Sequence, residues 1–222
     1  MSEWQKEAAI FDVDHTLLRG STGAAFLLEA FKAGIIPLSL VFRVPIEIVK
    51  YRFGIFSFQD IGKKMLPIRG MAIEKLEHIA QGRYRQLIQA RLFSQALQRI
   101  EEERNKGRII ILASSSLDML IAPIVEATKA DHFVATRLQA DESGLCTGDF
   151  IEGPAFGKGK LHKVDRLLRE LEIPVGICSF YSDSMYDLPL LDKVKEPQVV
   201  NPDRALRRVA RKRSWRIHRF RV

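Results

Sequence analysis

Ile10-Phe11-Asp12-Val13-Asp14-His15-Thr16-Leu17-Leu18 decides the fold of this 222-residue chain. An apolar run that begins at Ala8 ends abruptly at two carboxylates one residue apart, with Thr16 next but one. A short apolar run ahead of polar turn residues reads as a buried strand. The carboxyl end of such a strand is where open α/β sheets place their ligands. Two acids at a strand mouth repel each other. A divalent cation, which takes carboxylate and carbonyl oxygens, is the simplest compensation. Taken alone, the D-x-D-x-T pattern fits a solvated Asp-rich turn equally well.

Three further signals follow in order. Arg108 to Ala113 is a second, β-branched apolar run that ends in Ser114-Ser115-Ser116. Gly157-Lys158-Gly159-Lys160 precedes a helical pattern, in which Leu161, Val164, Leu167, Leu168 and Leu171 recur at helical spacing. Val175 to Phe180 reads as another strand, ending in Tyr181-Ser182-Asp183-Ser184-Met185-Tyr186-Asp187. Parallel strands in one sheet bring all these ends to one edge.

Taken together, the four stretches resemble the haloacid dehalogenase-like phosphohydrolases, and within them the phosphoserine-phosphatase-like branch. The resemblance covers nearly the whole chain. It implies an α/β fold: a three-layer Rossmann-like core with a mostly parallel sheet, plus an inserted α-helical cap. Residues 1–18 and 97–222 would form the core and 19–96 the cap, since the gap between Thr16 and Ile109 is too long for one crossover. Strands are expected near 8–13, 109–113, 132–135 and 198–200, with a hairpin over 137–151 and a helix over 93–104 leading back to the core.

The resemblance also implies a Mg²⁺-dependent phosphatase acting on a small phosphate monoester. Asp12 is the expected nucleophile, forming an aspartyl-phosphate. Asp14 is the expected general acid and then base, its backbone carbonyl joining Asp12 and Asp183 as metal ligands. Ser114 and Lys160 are expected to hold the phosphoryl group, with Lys158 the rival to Lys160. Thr16 would fix the turn, Asp187 would orient metal waters or Lys160, and Ser115 and Ser116 are weaker candidates because a serine run can simply cap a helix. His15 is read as a bystander.

Departures from the branch concern the substrate. Ser21 stands near the place of a substrate-binding glutamate, Lys64 near that of a cap arginine, and Tyr186 where asparagine is common. Phosphoserine is therefore not the favoured ester. The same machinery would serve a phosphotransferase.

Hydrophobic content of 46% and charged content of 28% are ordinary for a globular protein. The net charge of +8 is local. Residues 203–222 hold nine lysines and arginines against one aspartate, which is the whole excess of 35 basic over 27 acidic residues. Such a tail suits an anionic membrane surface, while nucleic acid is not an expected partner given the intact acid, serine and lysine set. The plainer reading is a solvated last helix followed by an edge strand, where charge blocks aggregation. The apolar run 34–58 is broken by Arg43, Glu47, Lys50, Arg52, Pro37 and Pro45, so cap helices packed on each other fit it better than a membrane span. With the basic tail, it leaves a lipid phosphate of the phosphatidylglycerophosphate type as an alternative substrate. Two unmatched cysteines and no signal peptide point to a cytoplasmic compartment.

Overall fold

The computed structural model describes residues 6–38 and 68–221. Lys64 and residues 39–58 of the apolar run lie outside them. The chain runs β1 (Ala8–Phe11), α1 (Thr22–Lys32), α2 (Ile73–Gln81), α3 (Arg83–Gln89), α4 (Ser94–Asn105), β2 (Ile109–Leu117), α5 (Asp118–Thr128) and β3 (His132–Thr136). There follow β4 (Leu138–Ala140), β5 (Cys146–Phe150), α6 (Lys158–Glu170), β6 (Ser179–Ser182), α7 (Leu188–Leu191), β7 (Glu196–Val200), α8 (Arg204–Lys212) and β8 (Arg216–His218).

Six strands form one sheet in the order β3-β2-β1-β6-β7-β8, and every pairing in it is parallel. β1 is buried along its whole length, as a central strand covered on both faces must be. Its alternate side chains serve two cores. Ala9 and Phe11 pack with residues of α4, α5 and the helices between β1 and β2, whereas Ala8 and Ile10 pack with α6, α7 and α8. This is the three-layer arrangement the alternating pattern predicts. β4 and β5 form the expected antiparallel hairpin. Backbone bonds tie it to the segment ahead of α2: Cys146 N donates to Met71 O at 2.8 Å and Gly70 N to Cys146 O at 2.8 Å.

Three sequence readings need correction. β1 ends at Phe11 rather than near Val13, because the chain turns through Val13, whose carbonyl accepts from Leu17 N at 2.9 Å. β2 extends past Ala113 through all three serines to Leu117, so no serine caps α5. The stretch 175–180 is not one strand: Val175–Ile177 is a 3-10 turn after Pro174, and the strand is Ser179–Ser182. Apolar content alone does not separate a buried turn from a buried strand.

An ionic cluster locks the opposite, amino-terminal edge of the sheet. The Arg108 guanidinium, just before β2, reaches Glu7 before β1 (2.8 Å), Glu103 of α4 (2.6 Å) and Glu196 of β7 (2.8 Å). Glu103 is 1% exposed and also accepts from Tyr181 Oη at 3.0 Å. Burial raises its carboxyl pKa, but the bonds from Lys106, Arg108 and Tyr181 outweigh burial and hold it below the usual range. Arg108 and Glu103 form a buried pair, and losing either partner of such a pair costs about 3–5 kcal/mol, so the cluster fixes the relative registry of three strands.

Candidate active site

The expected carboxylates leave neighbouring strands side by side. β1 and β6 pair with Phe11 opposite Tyr181, and the ladder continues one step further, Asp12 N donating to Tyr181 O at 2.9 Å. Asp12 follows β1 and Asp183 follows β6, so parallel pairing alone places them at the same sheet edge. Phe11 and Tyr181, each preceding its neighbour at that edge, stack with ring centroids 4.4 Å apart.

Lys160 arrives from the first turn of α6. Its Nζ lies 2.7 Å from Asp12 Oδ1 and 2.8 Å from Asp187 Oδ1, and the side chain is 3% exposed. Lys158, the rival, is exposed. The glycines explain the approach. Gly157 takes a positive φ of 52° as the helix starts, and a Cβ on Gly159 would lie 2.3 Å from the Pro154 carbonyl oxygen. Asp187 sits in a 3-10 turn four residues after Asp183. It accepts from Lys160 and from Ser182 Oγ at 2.7 Å, which supports the Lys160-orienting half of its expected role.

Asp14 points to a separate group of donors. Its Oδ1 accepts from Thr22 N at 2.9 Å, and its Oδ2 accepts from Ser116 Oγ at 3.0 Å and Thr22 Oγ1 at 3.2 Å. Thr22 opens α1, where free amides and the helix dipole favour a carboxylate. Thr22 and Ser116 are the residues that sequence reasoning missed or undervalued. A helix start eight residues after Asp14 was the available signal for the first. For the second, the capping reading of serine runs concealed it. Ser114 is 1% exposed, at the same edge, and its Oγ accepts from Ser116 N at 3.1 Å. Ser115 contributes its carbonyl to Thr136 Oγ1 at 2.7 Å. Thr16 does more than shape the turn: its hydroxyl donates to Asp183 Oδ1 at 3.4 Å.

The electrostatics are unbalanced. Asp12, Asp183 and Asp187 gather around one ammonium. Burial, first of all, raises the Asp12 pKa; Lys160 opposes this, and Asp187 and Asp14 add to it. Asp183 is raised well above the usual range by burial and by the charges of Asp12 and Asp187. Lys160, despite burial, is held protonated by its two carboxylates. Among the described residues, the one side-chain hydrogen bond to the Asp183 carboxylate is that long bond from Thr16. A hard cation fits this deficit. Among the described residues, no group of three or more His, Cys, Asp and Glu side chains is arranged to hold a metal ion. Mg²⁺ generally keeps several waters and takes only one or two carboxylates from a protein.

A cavity of about 320 Å³ opens beside Asp183, lined also by His15, Arg19, Phe93, Asn201 and Asp203. Asp203 is positioned by its own bonds to Met185 N (2.9 Å) and Leu206 N (2.8 Å). A larger groove, about 550 Å³, runs along β3 and α6 and contains none of these carboxylates, so size does not mark the site.

Comparison with known proteins identifies the family and the fold. The haloacid dehalogenase-like hydrolase family matches residues 9–192. The "inhibition of morphological differentiation protein" of Streptomyces azureus is 31% identical over 219 residues, 97% of this chain and 79% of that one. A histidinol-phosphatase of Neisseria meningitidis serogroup C is 26% identical over 97% of this chain and 99% of its own. Among solved structures, a protein of unknown function from Bordetella pertussis Tohama I superposes with TM-score 0.86 at 27% identity, covering 96% of this chain and 98% of that one. A phospho-aspartyl intermediate analogue of phosphoserine phosphatase superposes with TM-score 0.69 at 21% identity, covering 96% and 93%, and shares the fold.

Proposed function

This chain belongs to the haloacid dehalogenase-like hydrolases, and from that membership we propose that it is a Mg²⁺-dependent phosphatase of small phosphate monoesters working through Asp12. The observation that carries the reading is the bond from Lys160 to Asp12 at 2.7 Å, with the Asp183 carboxylate beside it raised by burial and by the charges of Asp12 and Asp187, which Lys160 offsets only in part.

Asp12 and Asp183, with the backbone carbonyl of Asp14, would hold the Mg²⁺. When bound, the cation supplies positive charge against the phosphoryl dianion and the attacking carboxylate. Asp12 attacks phosphorus and becomes an aspartyl-phosphate as the ester oxygen leaves. Asp14 gives that oxygen its proton. Asp14 then takes a proton from water, which attacks phosphorus and releases inorganic phosphate and free Asp12. Thr22 and Ser116 hold the Asp14 carboxylate in position for both transfers. Lys160, Ser114 and the adjoining backbone amides stabilise the transferring phosphoryl group. The core is assigned to residues 1–18 and 97–222 and the helical insertion to 19–96, a division supported by α1, α2 and α3 lying between β1 and β2.

A small ester is supported by the Neisseria relative, a histidinol-phosphatase that aligns along nearly its whole length. Both cysteines are buried free thiols, and no helix among the described residues is long and apolar enough to cross a membrane; these support the cytoplasmic assignment. Hydrolysis of an aryl phosphate with and without Mg²⁺ tests the reading. Asp12→Asn is expected to lose at least about 10³-fold in kcat/KM. Undiminished hydrolysis by that variant removes Asp12 as nucleophile.

A further inference from the structure

We propose that an arginine-lined cleft next to the carboxylate cluster binds the phosphate group of an anionic ligand at a site separate from the reacting phosphoryl. The cleft has a volume of about 260 Å³ and is lined by Arg207, Arg211, Arg219 and Arg221, together with Asn201 and Phe220. Among the described residues, no carboxylate lines it. Among the described residues, none of the four guanidiniums is ion-paired, whereas Arg213 nearby pairs with Asp192 and lies 4.9 Å over the Trp215 ring. All four are exposed, so solvent and salt screen their mutual repulsion and leave a positive rim open to a polyanion.

The arginines are arranged rather than strewn. Arg207 and Arg211 lie one turn apart on the same face of α8. Arg207 Nη2 donates to Pro202 O at 3.2 Å, which restrains its fork. Arg219 and Arg221 flank Phe220, which is 9% exposed and doubly held by Asn201: Asn201 Nδ2 donates to Phe220 O at 3.1 Å and Phe220 N to Asn201 Oδ1 at 3.0 Å. Arg221 N is fixed to Gln95 Oε1 at 2.6 Å. The cleft opens at the carboxyl ends of β7 and β8, the edge where parallel sheets bind ligands. Asn201 lines both this cleft and the cavity beside Asp183. Guanidinium forks match phosphate oxygens in pairs, so the ligand chemistry is a phosphate or polyphosphate group, free in solution or on a lipid headgroup.

Inorganic tripolyphosphate titrated calorimetrically into the full chain, in low salt without Mg²⁺, tests binding independently of catalysis. One saturable site is expected. R211Q/R219Q should weaken it about tenfold, the loss of two partly screened charge-assisted bonds, while R204Q/R208Q, an equal charge change on the same tail outside the cleft, should move it less than twofold. Co-sedimentation with phosphatidylcholine vesicles doped with phosphatidic acid separates the sources. Vesicle binding lost only in R211Q/R219Q assigns a headgroup, and tripolyphosphate binding without vesicle binding assigns a soluble ligand. Equal losses in the two variants, or binding of neither probe, overturns the proposal.

Discussion

Lys160 and Asp12, 148 positions apart in the chain, meet at 2.7 Å in a site where both side chains are almost fully buried. The same ammonium holds Asp187, and it offsets only in part the repulsion that Asp12 and Asp187 exert on Asp183. Under the proposed function, a cation bound there would relieve this imbalance.

Removing the repulsion at Asp183 should therefore be measurable as stability. At a Mg²⁺ concentration near 100 times its Kd, a ligand specific for the folded state contributes about 2.7 kcal/mol. For a chain of this size that raises Tm by about 5–10 °C. Asp183→Asn should raise the Tm of the metal-free protein by relieving the same repulsion, and should lose most of the Mg²⁺ response. Calorimetric scans with chelator and with Mg²⁺ check both, and an unchanged Mg²⁺ response in the variant refutes the ligand assignment.

Ser116 and Thr22 hold Asp14 by its second oxygen, and their hydroxyls lie 2.5 Å apart. Ser116→Ala should cost about 1 kcal/mol in stability, the scale of one hydrogen bond. Its effect on turnover should be larger, about 10- to 100-fold in kcat with KM little changed, because Asp14 is then held by Thr22 alone and less firmly aimed at the leaving oxygen. Steady-state kinetics on an aryl phosphate distinguish this from a purely structural role, in which kcat follows only the folded fraction.

Gly159 allows α6 to start against the 154–157 turn. Gly159→Ala sets a methyl 2.3 Å from a backbone oxygen, which must move. A loss of about 2–3 kcal/mol is expected, with weakened catalysis because Lys160 is the next residue. Urea unfolding reads the first effect and kcat the second; a variant as stable as the parent would show that the turn yields freely.

His218 titrates against the fold. Burial, with the positive charges of Arg99 and Arg216, lowers its pKa from 6.5 to about 4, despite an opposing effect from Glu102. The folded state thus resists a proton that the unfolded chain accepts. Stability is full above about pH 6.5 and falls as pH drops toward 4. The ring is partly exposed, so solvent screening reduces the effect. His218→Gln should flatten the acid limb of the unfolding midpoint between those pH values. Parallel pH profiles for the two proteins check this, since other carboxylates titrate equally in both.

Much of this site was legible in one dimension because strand order and strand ends are local signals. The apolar run ending at Asp12, the run ending in serines and the run ending at Asp183 each announce a polar strand mouth. Parallel pairing then brings those mouths together without further information. Lys160 was separable from Lys158 by its place in the amphipathic pattern of α6, which turns one lysine inward and leaves the other in solvent. The stretch 175–180 was misread because a buried 3-10 turn and a buried strand have the same apolar content.

The sequence by itself determined the parallel sheet and the edge at which the carboxylates emerge, since hydrophobic periodicity and strand termini carry that information residue by residue; the lysine that joins them is singled out by the family resemblance together with its place at the start of an amphipathic helix. Only the tertiary structure decided that Thr22 and Ser116 hold Asp14, that Thr16 reaches Asp183, and that four arginines of the tail enclose a cleft. Those relationships depend on how separate segments pack across the fold, and the direction a side chain takes through space is not written in its neighbours along the chain.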